Sequence, residues 1–354
     1  MSLSKILAAT LSVAFAGATV AHAEAQVAPA SLVVTASNTD VNQLLIYTPA
    51  GALVQTIATG GQGGASGNAG GIAQNRDRLA VVNFGSNSVS IFLKDRAAGA
   101  LQFERVIPVA AGPLSVALDE GHLYVLSGRS VESHPIDASG VSGAPDGAAA
   151  LLIGDGSAAQ VGILPNKLIV SEKSNAIETV DLGGQGAIAG PATLTQNIPA
   201  NVDAPFGLVT RGPKAYVTIA HANEISLVQD NTVRALTSSG TQRSPCWLAL
   251  DGDFLFSSNS PSHSVSRFRV EGEQIAMDAP VAATFGGSPT DIAFARTTNN
   301  SGLAAVIDSN GAVSHLSVFN VDRSGDLDPQ AAVTIATPTV NGVVVVNFGN
   351  SPNV

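Results

Sequence analysis

The sequence predicts an all-β protein, a seven-bladed β-propeller of four-stranded blades whose ring is closed by strands from the N-terminal and C-terminal parts of the chain. Three observations predict this fold: a recurring segment, turns of one kind between its strands, and strands left over at both ends. The recurring segment has a short apolar strand, a turn, and a second apolar strand that ends in a small polar residue. Its copies start about 40–50 residues apart, a period typical of propeller blades.

Six copies of this segment can be aligned by eye. They start near Gly71, Pro113, Ala158, Pro205, Pro245 and Pro289. In the second copy, residues 113–119 alternate as an inner strand, residues 122–126 return as the second strand, and residues 131–136 form the third. The spacing predicts blades near residues 71–112, 113–156, 157–203, 204–244, 245–288 and 289–338.

Turns that begin with Asp and end with Gly follow a strand in four of the copies. An Asp side chain caps free backbone N–H groups at the start of a turn, and Gly accepts a positive φ at its end. These turns begin at Asp95, Asp137, Asp181 and Asp322.

The seventh blade has to be assembled from both ends of the repeat array. Residues 32–59 contain three further strands without a recognisable inner strand, and residues 343–348 form one apolar strand near the C-terminus. Joining the two segments completes a blade and removes free strand edges. An open array of six blades is the alternative.

Composition excludes several classes of partner. The chain carries a formal net charge of −10, which argues against nucleic acid and anionic membrane as partners. Its 45% of hydrophobic residues can form a large core. The acidic surface and the closed ring lead us to expect a monomer. Cys246 is the only cysteine, so no intrachain disulfide can form. Its apolar strand predicts a buried residue rather than a nucleophile.

The first 23 residues have the pattern of a secretory signal peptide. Lys5 is followed by an apolar stretch over residues 6–20 and by the small-x-small site Ala21-His22-Ala23. We therefore expect a protein exported to the periplasm or secreted, with residues 24–354 forming a single propeller domain. An uncleaved anchor is the alternative.

The glycine-rich tract of residues 60–71 is the most unusual segment of the chain. It is not followed by Gly-Lys-Ser/Thr or by a helical pattern, so it does not fit a phosphate-binding loop. Its composition predicts a mobile loop between blades.

Several blades resemble the seven-bladed lactonase propellers, which include phosphogluconolactonases and carboxymuconate cyclases. The similarity covers about residues 70–327 and lies in the segments 159–163 with 168–173, 204–207 with 215–218, 244–250 with 254–259 and 265–269, and 287–293. The stretch Ser157–Gln160 stands where the enzymes of this family carry a histidine-rich inner strand. The chain thus resembles a branch without that histidine.

The propeller geometry predicts a site at one mouth of the central channel. Glu172 is the candidate general base for water attack on a lactone carbonyl, and Lys173 or Arg129 could hold a substrate carboxylate or the oxyanion. His221 is a candidate proton shuttle. The alternatives are an exposed Glu172–Lys173 ion pair and a solvated loop histidine.

Other polar and aromatic residues of this rim are candidate substrate contacts. They are Gln160, Asn83, Asn259, Trp247 and Phe206. Asp291 and Asp308 could offer oxygen ligands to Ca²⁺ or another divalent ion in the channel, although no cofactor is expected to be required.

Two functions follow from these observations. The first is an exported enzyme that opens, or in the reverse direction forms, a lactone ring, with a small lactone or organic acid as its partner. The second is a non-catalytic propeller that binds a partner protein, a peptide or a glycan on its rim.

Overall fold

The computed structural model describes residues 30–196, 203–297 and 301–348, which fold into seven antiparallel sheets that follow one another along the chain. The predicted signal peptide lies outside the described residues. The innermost strand of each sheet packs against that of the next sheet, and the last packs against the first. The sheets therefore close into a ring, and the predicted seven-bladed propeller is confirmed.

The first three blades follow the predicted boundaries. Blade 1 contains β1 (Ser31–Ala36), β2 (Gln43–Tyr47) and β3 (Leu53–Ala58). Blade 2 contains β4 (Ile72–Gln74), β5 (Arg78–Asn83), β6 (Ser88–Asp95) and β7 (Ala100–Pro108). Blade 3 contains β8 (Pro113–Leu118), β9 (His122–Ser127), β10 (Ser130–Asp137), the short β11 (Gly140–Val141) and β12 (Gly147–Ala150).

The next four blades repeat the same meander from the channel outward. Blade 4 contains β13 (Ala158–Leu164), β14 (Lys167–Glu172), β15 (Ala176–Leu182) and β16 (Ile188–Leu194). Blade 5 contains β17 (Pro205–Arg211), β18 (Lys214–Ile219), β19 (Glu224–Gln229) and β20 (Thr232–Ser238). Blade 6 contains β21 (Pro245–Asp251), β22 (Phe254–Asn259), β23 (Ser264–Glu271) and β24 (Gln274–Thr284). Blade 7 contains β25 (Ser288–Arg296), β26 (Gly302–Ser309), β27 (Ser314–Val321) and β28 (Leu327–Ile335).

The ring is closed by β29 (Asn341–Asn347), which is the innermost strand of blade 1. It pairs antiparallel with β1, with Ser31 opposite Asn347 and Val34 opposite Val344. The blade predicted from the two ends of the chain is thus present, and the inner edge of β1 is covered.

The core lies between neighbouring blades. For example, Leu44 and Ile46 of blade 1 share one buried cluster with Leu79, Val81 and Phe92 of blade 2. Because strand side chains alternate between the two faces of a sheet, each blade presents one apolar face to each neighbour. Burying a side chain of this size contributes about 1.5–3 kcal/mol.

The turns between the second and third strands mark one face of the ring. In blades 2, 5 and 6 each turn is a single 3₁₀ turn: Phe84–Ser86, Ala220–Ala222 and Ser260–Ser262. Each ends in a left-handed residue, Asn87, Asn223 or His263. No helix among the described residues is long and apolar enough to span a bilayer.

Candidate functional site

A bulge near the start of the inner strand recurs in four blades. The pairing of the first two strands shifts register between Pro113 and Ser115, and the same shift occurs at the equivalent place in blades 4, 6 and 7. A bulge of this kind redirects a side chain. The residues two positions after the start of the repeat are Ser115, Gln160, Gly207, Trp247 and Asp291.

Three of these five residues, Gln160, Trp247 and Asp291, line a small central cavity of about 120 Å³. Its lining consists of Ala69, Gly70, Ile72, Gln160, Trp247, Leu248, Asp291, Ile292 and Val343. A space of this size holds a few water molecules where polar groups face it. Three of the predicted site residues, Gln160, Trp247 and Asp291, therefore meet at one place.

Asp291 is the only carboxylate in the lining of this cavity, and its side chain is 8% exposed. Its Oδ1 accepts the N–H of Ile292 at 2.8 Å, and its Oδ2 accepts the N–H of Val343 at 3.0 Å. Burial disfavours the charged form and outweighs these two donors, so it raises the pKa of Asp291 to about 7. This carboxyl group therefore exchanges a proton near neutral pH.

Gln160 faces Asp291 across the cavity lining from blade 4. Its Oε1 accepts the N–H of Leu208 at 2.7 Å, which fixes the orientation of the amide. Its Nε2 lies beside Gly70, where an added Cβ atom would be 3.2 Å away. Gln160 and Gly70 both line the cavity, so the amide group of Gln160 lies at its edge.

The glycine-rich tract of residues 60–71, here called the plug, crosses the channel mouth. Trp247 Nε1 donates to Asn68 O at 3.2 Å, Ala69 N to Ala159 O at 3.1 Å, and Val116 N to Gly70 O at 2.9 Å. The tract is thus a packed part of the fold, not the mobile inter-blade loop that its composition predicted.

Glycine is required in the plug because its backbone approaches other segments closely. A Cβ atom on Gly63 would lie 2.3 Å from the carbonyl carbon of Asn38. Asn68, 2% exposed, ties the plug to two further strands. Its Nδ2 donates to Leu114 O at 2.6 Å, and its Oδ1 accepts from Asn341 Nδ2 at 2.9 Å.

A second pocket of about 380 Å³, here called the mouth pocket, lies outside the plug. It is lined by Asn38, Gly64, Ala65, Ser66, Gly67, Asn68, Trp247, Thr290, Pro338, Thr339, Val340 and Asn341. None of these residues is charged. Trp247 lines both the mouth pocket and the central cavity, and its contact with Asn68 separates the two.

Three predicted site residues do come together beside the plug. They are Lys173, Phe206 and Trp247, which contact one another in that order. The Phe206 and Trp247 rings pack edge to face at 5.1 Å. The Lys173 ammonium lies 6.0 Å from the Phe206 ring and donates to Gly67 O at 2.6 Å. Lys173 therefore holds the plug rather than an open rim.

Glu172, the predicted general base, is fully buried and does not line the cavity. It lies on the same face of blade 4 as Glu178, because Glu178 is opposite Val170, and residues two apart on a strand, such as Val170 and Glu172, point to the same face. Glu178 accepts the N–H groups of Leu152 and Ile153, both at 2.9 Å. Burial first, then Glu178 and Asp155, raises the pKa of Glu172 to about 8.

The two other predicted catalytic residues lie apart from the cavity. His221 is exposed on the 3₁₀ turn of blade 5, with its Nδ1 2.5 Å from Asp203 Oδ1. Arg129 is exposed in the turn between β9 and β10. Neither lines the central cavity or the mouth pocket, so the structure does not assemble the predicted catalytic group.

The predicted substrate contacts Asn83 and Asn259 are buried inside their blades rather than exposed on the rim. Asn83 Nδ2 donates to Ser90 Oγ at 2.7 Å, and Asn259 Nδ2 donates to Ser266 Oγ at 2.8 Å. Both side chains therefore bridge the second and third strands and stabilise the blade.

The two aspartates proposed for a metal face different partners. Asp291 bonds the backbone of blade 1 through Val343, whereas Asp308 Oδ1 lies 3.0 Å from His315 Nδ1 on the next strand outward. Within the described ranges no group of three or more His, Cys, Asp or Glu side chains is placed to hold a metal ion.

The molecule is thus a seven-bladed propeller, and the carboxyl group of Asp291 lines the small cavity in its channel. No family model matches the chain, and neither does any curated protein. Solved structures do match. The periplasmic gluconolactonase PpgL of Pseudomonas aeruginosa has a TM-score of 0.62 and 15% identity, over 90% of this chain and 99% of that one.

Two further matches set the limits of this comparison. A candidate 6-phosphogluconolactonase of Bacteroides uniformis has a TM-score of 0.64 and 15% identity, over 90% of this chain and all of the other. The WD40 repeats of RRP9 match with a TM-score of 0.57 and 12% identity, over 78% and 87% of the two chains. The predicted resemblance to lactonase propellers is confirmed for the fold, and a fold alone does not assign an activity.

Proposed function

We propose that this protein is an exported hydrolase of small, uncharged lactones, with Asp291 as its general base. The observation that carries the proposal is a carboxyl group with a pKa near neutral that lines the small cavity at the centre of the ring. A base is most effective when its pKa lies near the working pH. This assignment replaces Glu172, which is buried away from the cavity.

For a lactone held in the mouth pocket to reach Asp291, the Asn68–Trp247 contact between the pocket and the central cavity has to open. The chemical steps then need only the groups that line the cavity. Ionised Asp291 takes a proton from water, whose oxygen attacks the lactone carbonyl and forms a tetrahedral oxyanion. The Nε2 group of Gln160 donates a hydrogen bond to that oxyanion. The C–O bond of the ring then breaks, Asp291 returns the proton to the leaving ring oxygen, and the product is a hydroxy acid.

The uncharged character of the substrate is inferred from the mouth pocket. Its twelve lining residues are neutral, and the Trp247 ring offers a surface on which a sugar-like ring can pack. The nearby ammonium group, that of Lys173, already donates to Gly67 O. A phosphorylated lactone would find little compensation for its charge here, whereas a free lactone fits the lining.

Export is proposed on two grounds. The first 23 residues have the signal-peptide pattern, and one structural neighbour, PpgL, is a periplasmic gluconolactonase. The substrate would then be met outside the cytoplasm.

Hydrolysis of a panel of neutral and phosphorylated lactones in a pH-stat tests the proposal. We expect kcat/KM to rise with pH through about 7, because the base must be ionised. Asp291→Asn should lower the rate by about 10²–10⁴-fold. Glu172→Gln at the same pH is the matched control and should retain activity. Turnover that survives Asp291→Asn would remove the assigned base. Loss of activity with EDTA alone would move the chemistry to a metal.

A second function is favoured by one specific observation. The mouth pocket, at about 380 Å³, is larger than the central cavity of about 120 Å³, and the Asn68–Trp247 contact lies between it and the carboxylate of Asp291. A propeller that binds a neutral glycan or peptide in the mouth pocket would have this arrangement. Calorimetric binding of a lactone or sugar that Asp291→Asn leaves unchanged, without turnover, would support this function instead.

A further inference from the structure

The same pair of positions is filled differently in different blades. One member of the pair is the last residue of the second strand. The other is on the third strand, opposite the residue that comes two positions before the first member, so both side chains lie on the same face of the blade. In blade 2 the pair is Asn83–Ser90 and in blade 6 it is Asn259–Ser266. In both, an amide N–H donates to a hydroxyl oxygen. In blade 4 the pair is Glu172–Glu178.

The blade 4 pair therefore contains two acceptors where its sister blades have a donor and an acceptor. Both glutamates are fully buried. Glu178 already receives two backbone N–H groups, and Glu172 Oε1 has no hydrogen-bond partner among the described residues. Two ionised carboxylates in contact without water or a counterion repel strongly. A shared proton supplies the missing donor.

The groups that surround the pair do not replace this proton. Glu178 faces Glu172 from β15, and Asp155 faces it from the loop between blades 3 and 4. Both are acidic. Ser157 Oγ, from the same loop, lies 3.4 Å from Glu172 Oε2, a distance typical of a weak bond.

The strand end that carries Glu172 also holds the plug. The next residue, Lys173, donates from its backbone N to Ser157 O at 3.0 Å and accepts from Ala204 N at 2.7 Å. Its Nζ reaches Gly67 O of the plug. A change in the charge of the Glu172–Glu178 pair therefore acts directly on the residue that fastens the plug.

We propose that Glu172 and Glu178 share one proton that keeps the plug closed, so that loss of this proton at alkaline pH loosens the plug and opens the central cavity. Ionisation places two negative charges on one face of blade 4, and Glu172 moves away from Glu178. Lys173 then shifts with the end of β14, and its bond to the plug weakens. The inference concerns access to the cavity and does not depend on the chemistry that occurs inside.

Trp247 reports on the plug, because it is the only tryptophan in the chain and its indole N–H donates to Asn68 O. Emission maximum and acrylamide quenching are measured from pH 6 to 9.5 in the full-length mature protein. Asp291 also titrates beside Trp247, so the series is run in the wild type and in Asp291→Asn. In both, we expect a reversible red shift and stronger quenching with a midpoint near pH 8, before any loss of β-sheet circular dichroism.

Three variants decide the outcome. Glu172→Gln restores a donor of the same size, and its fluorescence should stay that of the closed plug across the range. Glu132→Gln changes the equivalent third-strand position of blade 3, opposite Val125, and should keep the transition. Lys173→Met should give stronger quenching than the wild type at pH 6, because the plug has lost one of the bonds that hold it. This variant tests the link even if the pair itself tolerates no change.

Three results would overturn the inference. The first is a transition with an unchanged midpoint in Glu172→Gln, and the second is the absence of a transition in the wild type. The third is an increase in melting temperature with CaCl₂ at pH 9 that Glu172→Gln abolishes, since the pair would then hold a cation instead of a proton.

Discussion

Blades 2 and 4 have the same strand order, but the same buried position holds a neutral pair in blade 2 and an acidic pair in blade 4. In blade 2 the neutral side chain of Asn83 accepts from Asn42 Nδ2 and Thr59 Oγ1 and donates to Ser90. In blade 4 two carboxyl groups meet, and a proton has to complete the contact. The difference shows that a propeller repeat conserves the geometry of a position and leaves its chemistry free. A neutral pair has the same strength at every pH, whereas an acidic pair depends on the solution.

The largest expected effect is on the pH dependence of stability. The folded-state pKa of Glu172 is raised, so its contribution is complete below the unfolded value of about 4.5 and is lost as the pH rises through about 8. The free energy of unfolding of the wild type should fall by about 2–4 kcal/mol across that window. Glu172→Gln should remove the part of this fall that Glu172 contributes, whereas the part that comes from the raised pKa of Asp291 remains in both proteins. Denaturant unfolding at pH 5 and pH 8.5 measures the change in the free energy of unfolding for the wild type and for Glu172→Gln. An equal change in the two proteins would contradict the comparison.

Removing the neutral contact should have a smaller, pH-independent effect. Asn83→Ala leaves the side chains of Asn42, Thr59 and Ser90 without this partner and should reduce stability by about 2–3 kcal/mol. Asn259→Ala is the matched variant. It removes donors to Ser264 and Ser266 only, so the expected loss is about 1–2 kcal/mol. Urea unfolding at pH 6 and pH 8 measures both, and a loss that changes with pH would break the contrast with blade 4.

The smallest expected effect comes from Ser157. Its hydroxyl lies 3.4 Å from Glu172 and lowers the pKa of that carboxyl group, against the other influences. Ser157→Ala should therefore move the fluorescence midpoint of Trp247 to a slightly higher pH and change stability by less than about 1 kcal/mol. A midpoint that moves to lower pH would mean that Ser157 does not stabilise the ionised form.

Repetition made the fold predictable from the sequence. Each blade start aligned with an inner strand, and the unmatched strands at residues 32–59 and 343–348 met in blade 1 as predicted. The apolar periodicity required for burial between blades is a local property of each segment. Closure then follows from the count of strands, since a propeller leaves no inner edge unpaired.

The site was less predictable because it depends on where the strand bulges. Gln160, Trp247 and Asp291 were found from their repeat positions, but the bulge that turns them into the channel is set by pairing with the second strand. The repeat position also placed Glu172 at the rim, but its side chain is buried on the face that it shares with Glu178. Ser115 was missed, although it has the same repeat position as Asp291. The position of the plug over the channel could not be predicted, because it depends on close contacts between backbone segments. Such contacts leave no pattern of side chains in the sequence.

The pairing of β1 with β29 has a consequence for how the molecule folds. These strands are about 300 residues apart in sequence, and contacts of such separation form late because a long loop must close first. The plug lies early in the chain, yet it is bonded to Leu114, Ala159, Trp247 and Asn341. During synthesis, the plug is therefore made before most of the strands that surround the channel. The last strand to be made seals the ring and also supplies Asn341, the partner that holds Asn68 in place.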